Sequence, residues 1–263
     1  MTQVNEAADL LLNARLTGQP IPGLPADCYP VDLLQAYAIQ NSLVEKLLQQ
    51  LGGQIIGYKI ACTNEAAQKV LNLDSPFFGR LFSATTFTSP TRLETDTFHM
   101  RVIEPEFAFE MAQDLPPRPT PFTRDEVTAA IGAIIPSIEI VDSRYQQWTT
   151  VGPACLIADQ AAHGAWVRGQ KEADWQHLDL ATHKVELWVN GKLSQTGNGS
   201  VVLGHPLNAL TWLANALREQ NRGLQAGDWV TTGVCIDELY NAQSGDVVKA
   251  DFGMLGEVEV SFN

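Results

Sequence analysis

The stretch Arg101 to Glu110 reads R-V-I-E-P-E-F-A-F-E, and its chemistry lies in two acids one residue apart. Run as a strand, it alternates side chains between faces with a period of two. Glu104 and Glu106 then point together, while Ile103, Pro105, Phe107 and Phe109 share the other, core-like face. Two carboxylates that close repel unless a positive charge lies between them or one keeps its proton. A hard divalent cation, Mg²⁺ or Mn²⁺, meets that need through oxygen ligands. A solvated strand face carrying two unrelated acids is the plainer alternative. Pro105 has no N–H for a sheet ladder, which places this piece of strand at an edge, a bulge or a cavity rim.

A third acid strengthens the cation reading. Glu139 sits in Ile134-Ile-Pro-Ser-Ile-Glu-Ile-Val-Asp-Ser-Arg-Tyr145, an apolar, β-branched run that reads as a buried strand. A buried carboxylate needs a partner. Arg144 could serve as a structural one; a cation shared with Glu104 and Glu106 is the sharper alternative, leaving open positions for a chelating substrate and water. Lys59, in Gly57-Tyr-Lys-Ile-Ala-Cys-Thr-Asn64, lies in a short apolar strand. It either snorkels to solvent or, buried beside a cation, becomes a proton carrier with a lowered pKa.

Other motifs are weaker. His205 and Asn208, in Gly204-His-Pro-Leu-Asn-Ala209, could face a site, but a turn and helix cap explain the same residues. Gly197-Asn-Gly199 follows a hairpin and lacks the P-loop lysine. No Gly-x-Ser-x-Gly elbow or Ser-His-Asp order is found. His99, His163, His177 and His183 show no metal-ligand spacing.

These residues need elements to hold them. The 263 residues suffice for one large domain or a small and a larger one. Hydrophobic content of 45% and charged content of 18% fit a soluble globular enzyme. A net charge of −13 argues against nucleic acid or an anionic membrane as the main partner. Cys28, Cys62, Cys155 and Cys235 form no C-x-x-C pair and read as buried reduced thiols. No stretch approaches the roughly 18 apolar residues of a membrane helix. The N-terminus lacks signal-peptide character, so the cytoplasm is the expected compartment.

Apolar spacing predicts a helix over residues 3–16 and a long one from an Asp32 cap to Leu51, stopped by Gly52-Gly53. A strand is expected at Ile55–Ile60, and Thr63 or Asn64 should cap a helix from Glu65 to Leu71. From about Leu81 short β-runs take over. Thr123 and Glu126 predict a capping box for a helix over Asp125–Ile131. Asn190-Gly191 predicts a hairpin between Val185–Val189 and Lys192–Thr196. A helix is expected over Leu207–Gln220, then strands near Trp229–Thr232, Asp246–Asp251 and Glu257–Phe262. The fold class is α+β: an α-rich region over 1–80, then a mostly β body over 81–263.

Taken in order, Gly57-Tyr-Lys59 ahead of a helix, Glu104-Pro-Glu106-Phe-Ala-Phe, Pro136-Ser-Ile-Glu139-Ile-Val-Asp-Ser-Arg144, Ala158-Asp159, Gly204-His-Pro-Leu-Asn-Ala209 and Thr232-Gly233 form a specific set. The chain resembles the fumarylacetoacetate hydrolase superfamily, in its 2-oxopent-4-enoate hydratase and 4-oxalocrotonate decarboxylase branch, from about Asp32 to its end. The resemblance implies a β-roll body, a homo-oligomer, and Mg²⁺ or Mn²⁺ on Glu104, Glu106 and Glu139. It implies a catalytic Lys59, a small 2-oxo or 2-hydroxydienoate substrate that chelates the metal, and substrate-binding positions at Phe77, Phe78, Asp159, Thr232 and Gly233.

Two departures bear on the reaction. Ser75-Pro-Phe-Phe-Gly79 puts Phe77 where the hydratases resemble one another in carrying aspartate. Ala158-Asp-Gln-Ala-Ala162 replaces the family's Ala-Asp-Asn-Ala-Ser. Phe77 and Val141-Asp-Ser-Arg-Tyr145 look like the decarboxylases, whereas the run from Gly204 to Ala214 looks like the hydratases. The expectation is a hydratase yielding a 4-hydroxy-2-oxo acid. The alternatives are a decarboxylase, a non-catalytic metal-binding relative or partner subunit, and a C–C bond hydrolase. The last would need a water-activating His–Glu pair, for which the sequence offers no good candidate.

Overall fold

The computed structural model describes residues 2–263. Helices α1 (Thr2–Thr17) and α2 (Leu33–Leu51) come first. Asp32 caps α2 by accepting from the Gln35 N–H, and Gly52, at φ 71°, ends it. The pair packs through buried Ala7, Ala8, Leu11, Ile39, Leu43 and Leu47. Strand β1 (Ile55–Ala61), short α3 (Glu65–Leu71) and β2 (Phe77–Phe82) follow. Of the two expected caps, Asn64 is the one whose side chain accepts, from the Ala67 N–H.

Short β3 (Thr86–Thr88) and β4 (Thr91–Leu93) lead to long β5 (Val102–Met111). The Thr123–Glu126 capping box is present and opens α4 (Arg124–Ala129). That helix ends before Ile131, because the Ala130 carbonyl is claimed by the amides of Ala112 and Gln113 and Ile131 already starts β6 (Ile131–Val141). Then come α5 (Pro153–Ala158), β7 (His163–Arg168), β8 (Lys184–Val189) and β9 (Lys192–Asn198). The β8–β9 hairpin turns on Asn190 and Gly191, both left-handed at φ 51° and 72°. The chain closes with α6 (Pro206–Glu219), β10 (Trp229–Val234), β11 (Tyr240–Asn241), β12 (Val247–Asp251) and β13 (Glu257–Phe262). His205 caps α6 through Nδ1 and Asn208 donates to the Leu203 carbonyl, so both serve the turn.

Among the described residues the strands form two sheets. One has eight strands in the order β2-β1-β10-β5-β6-β7-β3, with β11 pairing with β5; the other has five, β4-β13-β12-β8-β9. The division expected after residue 80 falls inside β2, and β1 runs parallel to β10 in the larger sheet. The strand carrying Lys59 needs ladder partners on both sides, and the C-terminal part supplies one.

Pro105 lies on an interior strand. Its carbonyl accepts from the Cys235 N–H, so its missing N–H faces β10, where that strand breaks register between Thr231 and Val234. The bulge removes the need for the donor. Tyr58, Ile60, Phe107, Phe109, Ile138 and Ile140 turn into the main core, under α6 and the second sheet. The alternate residues of the same strands face the other way and carry the polar groups described next. Among the described residues no helix is long and apolar enough to cross a membrane. All four cysteines are free and buried.

Candidate active site

The register of β5 against β6 sets Glu104 directly opposite Glu139, and Glu106 follows two residues along on the same face. Ligand oxygens of the three lie within 4.8 Å of one another. Glu106 and Glu139 are fully buried, whereas Glu104 borders a cavity. Lys59 reaches the cluster from β1: its Nζ lies 3.2 Å from Glu139 Oε1 and donates to the Ala161 carbonyl at 2.9 Å. At 1% exposure Lys59 does not snorkel to solvent.

Glu139 Oε1 also meets His163 Nδ1 at 2.9 Å, and the Gly233 N–H donates to Glu106 Oε2 at 2.7 Å. Glu106 Oε1 and Glu139 Oε2 are buried with no hydrogen-bond partner among the described residues. Such oxygens are costly to leave unmatched. The electrostatics agree. Burial pushes the Glu104 carboxyl up to about 7 against the pull of Lys59. Burial, then Glu139 and Glu104, push Glu106 well above the usual carboxylate range. Burial would raise Glu139 too, but the Lys59 ammonium and His163 outweigh it and hold it low. Burial would lower Lys59, yet the three carboxylates raise it. One ammonium therefore matches one carboxylate, and the other two need more positive charge to ionise together. An all-oxygen donor set with two unsatisfied oxygens fits a hard divalent cation.

Glu139 does not pair with Arg144. That guanidinium is taken by Asp159, with Nε to Oδ1 at 2.6 Å, and by Asp142 at 3.5 Å. Asp159 is thereby consumed, also accepting from the Arg144 N–H and the Ser143 hydroxyl, and it does not line the cavity. Phe78 points to the opposite face of the sheet, stacked on Tyr37 at 4.7 Å. The Thr232 hydroxyl donates to the Phe107 carbonyl. Of the five expected substrate contacts, Phe77 and Gly233 border the cavity; Phe78, Asp159 and Thr232 do not, because strand alternation and the Arg144 pair direct them elsewhere.

The cavity, about 280 Å³, has Lys59 and Glu104 in its lining. Phe77, Leu156 and Trp148 form walls, and Val70, Leu71 and Leu239 contribute apolar surface. Its titratable lining groups are Lys59, Cys62, Glu104 and Asp237. Burial lifts the Cys62 thiol to about 11, so it is no ready nucleophile.

Sequence reasoning missed His163, whose tie to Glu139 depends on the β6–β7 register, and the Ala161 carbonyl, which no side-chain pattern could reveal. His163 and Glu139 do form a pair, but both are wholly buried and neither borders the cavity, so this is not a pair placed to activate water there.

Residues 59–263 match the family model described as fumarylacetoacetate (FAA) hydrolase, C-terminal. The chain is 31% identical over 261 residues to the 2-keto-4-pentenoate hydratase of Paraburkholderia xenovorans (strain LB400), covering 99% of this chain and 95% of that one. It is 33% identical over 220 residues to a 2-hydroxypent-2,4-dienoate hydratase of Pseudomonas putida, covering 82% of this chain and 96% of that one. Among solved structures, the 4-oxalocrotonate decarboxylase from Pseudomonas putida G7, complexed with magnesium and adipate, superposes with a TM-score of 0.92 at 27% identity, covering 100% of this chain and 98% of that one.

Proposed function

The chain belongs to the fumarylacetoacetate hydrolase family, and from that premise we propose that it is a metal-dependent hydratase. It is a lyase that adds water to a 2-hydroxy-2,4-dienoate and gives a 4-hydroxy-2-oxo acid. The observation that carries this reading is the convergence of Glu104, Glu106, Glu139 and Lys59 beside one largely apolar cavity. Glu104, Glu106 and Glu139 would hold Mg²⁺ or Mn²⁺. A cation bound there would stabilise negative charge on the carboxylate and C2 oxygen of a 2-oxo acid.

The chain's own residues divide the remaining work. Lys59 holds a proton at Nζ, fixed by Glu139 and Ala161, and carries it to or from the substrate carbon skeleton in the cavity. Phe77, Leu156 and Trp148 keep bulk water from the dienoate chain. With Phe77 where an aspartate was expected, the acids left on the cavity lining are Glu104 and Asp237.

The cavity's charge favours hydration over decarboxylation. Lys59 is the single basic side chain among the lining residues, and Glu104 and Asp237 oppose it. The second carboxylate of a hexenedioate would meet no free cation. Decarboxylation stays as the second reading because Phe77 sits in an apolar cluster with Leu156 and Ile157. Such a wall disfavours a charged carboxylate and would assist its departure.

The test supplies 2-hydroxypenta-2,4-dienoate and 2-oxohex-3-enedioate separately, with Mg²⁺ or Mn²⁺, and follows products by NMR. The 4-hydroxy-2-oxo acid from the first is expected. Loss of CO₂ from the second with no hydration of the first would reverse the assignment. Turnover of neither, with Mn²⁺ still bound, would mark a non-catalytic relative. We also propose a homo-oligomer, supported by apolar Val31 and Leu34 standing 83% and 82% exposed; light scattering on the eluting protein measures it.

A further inference from the structure

Gln160, Ala161 and Ala162 take left-handed backbone in succession, at φ of 54°, 54° and 57°. Residues with a Cβ avoid this conformation, and a run of three persists only where the surroundings impose it. All three are buried between α5 and β7. Each carbonyl of the turn finds a donor: that of Gln160 the His163 N–H, that of Ala162 the Asp142 N–H, and that of Ala161 the Lys59 ammonium, 2.9 Å away. Lys59 has a second partner in Glu139, but the proposed cation would share that carboxylate, whereas the carbonyl serves Lys59 alone.

The turn is braced through a buried carboxamide. Gln160 Oε1 accepts from the Arg80 N–H on β2 at 3.0 Å, and Nε2 donates to the Gln40 carbonyl on α2 at 3.1 Å. Gln40 in turn donates through its own side chain to the Phe78 and Ile157 carbonyls, both at 2.8 Å. β2 can lie this close because residue 79 is glycine: a Cβ there would sit 2.4 Å from the Gln160 carbonyl oxygen. One side chain thus ties the turn to a strand and a helix. Neither Gln160 nor Gln40 borders the cavity.

We propose that Gln160 is a positioning residue for Lys59. Its carboxamide holds the left-handed turn, and the turn holds the ammonium in place through the Ala161 carbonyl. The inference rests on Lys59 as the proton carrier. Gln160→Met keeps the length and bulk of the side chain and removes both hydrogen bonds. kcat should fall about tenfold or more, while KM and the Mn²⁺ dissociation constant stay within about threefold. A crystal structure of the variant should show the turn out of the left-handed region and Lys59 Nζ away from Ala161. Gln160→Asn, with the same amide one methylene shorter, should lose less and serves if the first variant does not fold. Unchanged kcat with the turn intact, or kcat, KM and Mn²⁺ affinity all failing together, overturns the inference. Lys59→Met runs in parallel. If it keeps full turnover, both readings fall; if it is inactive while Gln160→Met is fully active, only this one does.

Discussion

Lys59 and Glu139 face each other at 3.2 Å with 2% and 0% of their side chains exposed. Removing one member of such a pair leaves the other uncompensated, but Glu139 would still have His163 and a bound cation. Lys59→Met should therefore keep Mn²⁺ binding, read by electron paramagnetic resonance, while turnover drops by about a hundredfold or more. A variant at full speed would make the lysine structural. Glu104 leads to a pH dependence. Its carboxyl is pushed up to about 7, so below that pH the metal-free protein holds a proton that a cation must displace. Cation affinity should rise as pH climbs through 7, with proton release seen by calorimetry in buffers of different ionisation heat. In the metal-free protein the same shift works against stability. Between the ordinary value of 4.5 and about 7 the folded state binds more protons than the unfolded, so this group's contribution falls as pH rises across that window. Phe77, only 4% exposed, makes a third case. Phe77→Asp deletes a ring and buries a carboxyl without a partner, and should cost about 2–4 kcal/mol in urea unfolding. A cost near zero would mean that the cavity wall is far more yielding than its packing indicates.

Among the elements, β10 controls the site most closely. Gly233 sits where its register breaks, at φ 102°, and a Cβ would come within 1.8 Å of Thr63 Oγ1. Its N–H is the donor that fixes Glu106. Gly233→Ala should push the strand off Thr63, release that hydrogen bond and weaken Mn²⁺ binding by about tenfold or more; affinity within twofold of the parent would show that Glu106 needs no such support. Elements with local signals were legible in the sequence. Asp32 and Gly52 bound α2, Thr123 and Glu126 open α4, and Asn190-Gly191 turns β8 into β9, because each acts on its own neighbours. Glu104 and Glu106 were legible for the same reason, as strand alternation alone puts them together. What crosses the sheet was not. Nothing near residue 59 says that β1 will lie against β10, nothing near Asp159 that Arg144 will claim it, and no glycine marks the left-handed turn at Gln160.

For the molecule as a whole, the helical start and the sheet are fastened together. Arg15, at the end of α1, donates to the carbonyls of His163 and Gly164 at 2.8 and 2.9 Å, one of them belonging to the residue that steadies Glu139. β1 and β2 continue the same sheet. Heating should therefore give one calorimetric transition, not separate melting of an N-terminal part. A cation that binds the folded chain should raise that transition, adding about 2.7 kcal/mol at a hundred times its dissociation constant. EDTA should abolish the increment. Two resolved transitions, with the cation moving only the upper one, would show the helices to be an independent unit.

The parallel pairing of β1 with β10 also orders events during synthesis. The strand bearing Lys59 can pair early with nearby β2, but its other neighbour, β10, is made only long afterwards. The bond from Lys59 to Ala161 spans 102 residues and that from Gly233 to Glu106 spans 127. Contacts so distant form late, since the intervening chain must first be ordered. β5 and β6, closer in sequence, can zip together well before then and gather their carboxylates with no lysine yet docked. In refolding, pulse-labelled hydrogen exchange should find the β5–β6 amides protected before those that join β1 to β10. A nascent chain halted before Trp229 would carry the acids of the site and none of its activity.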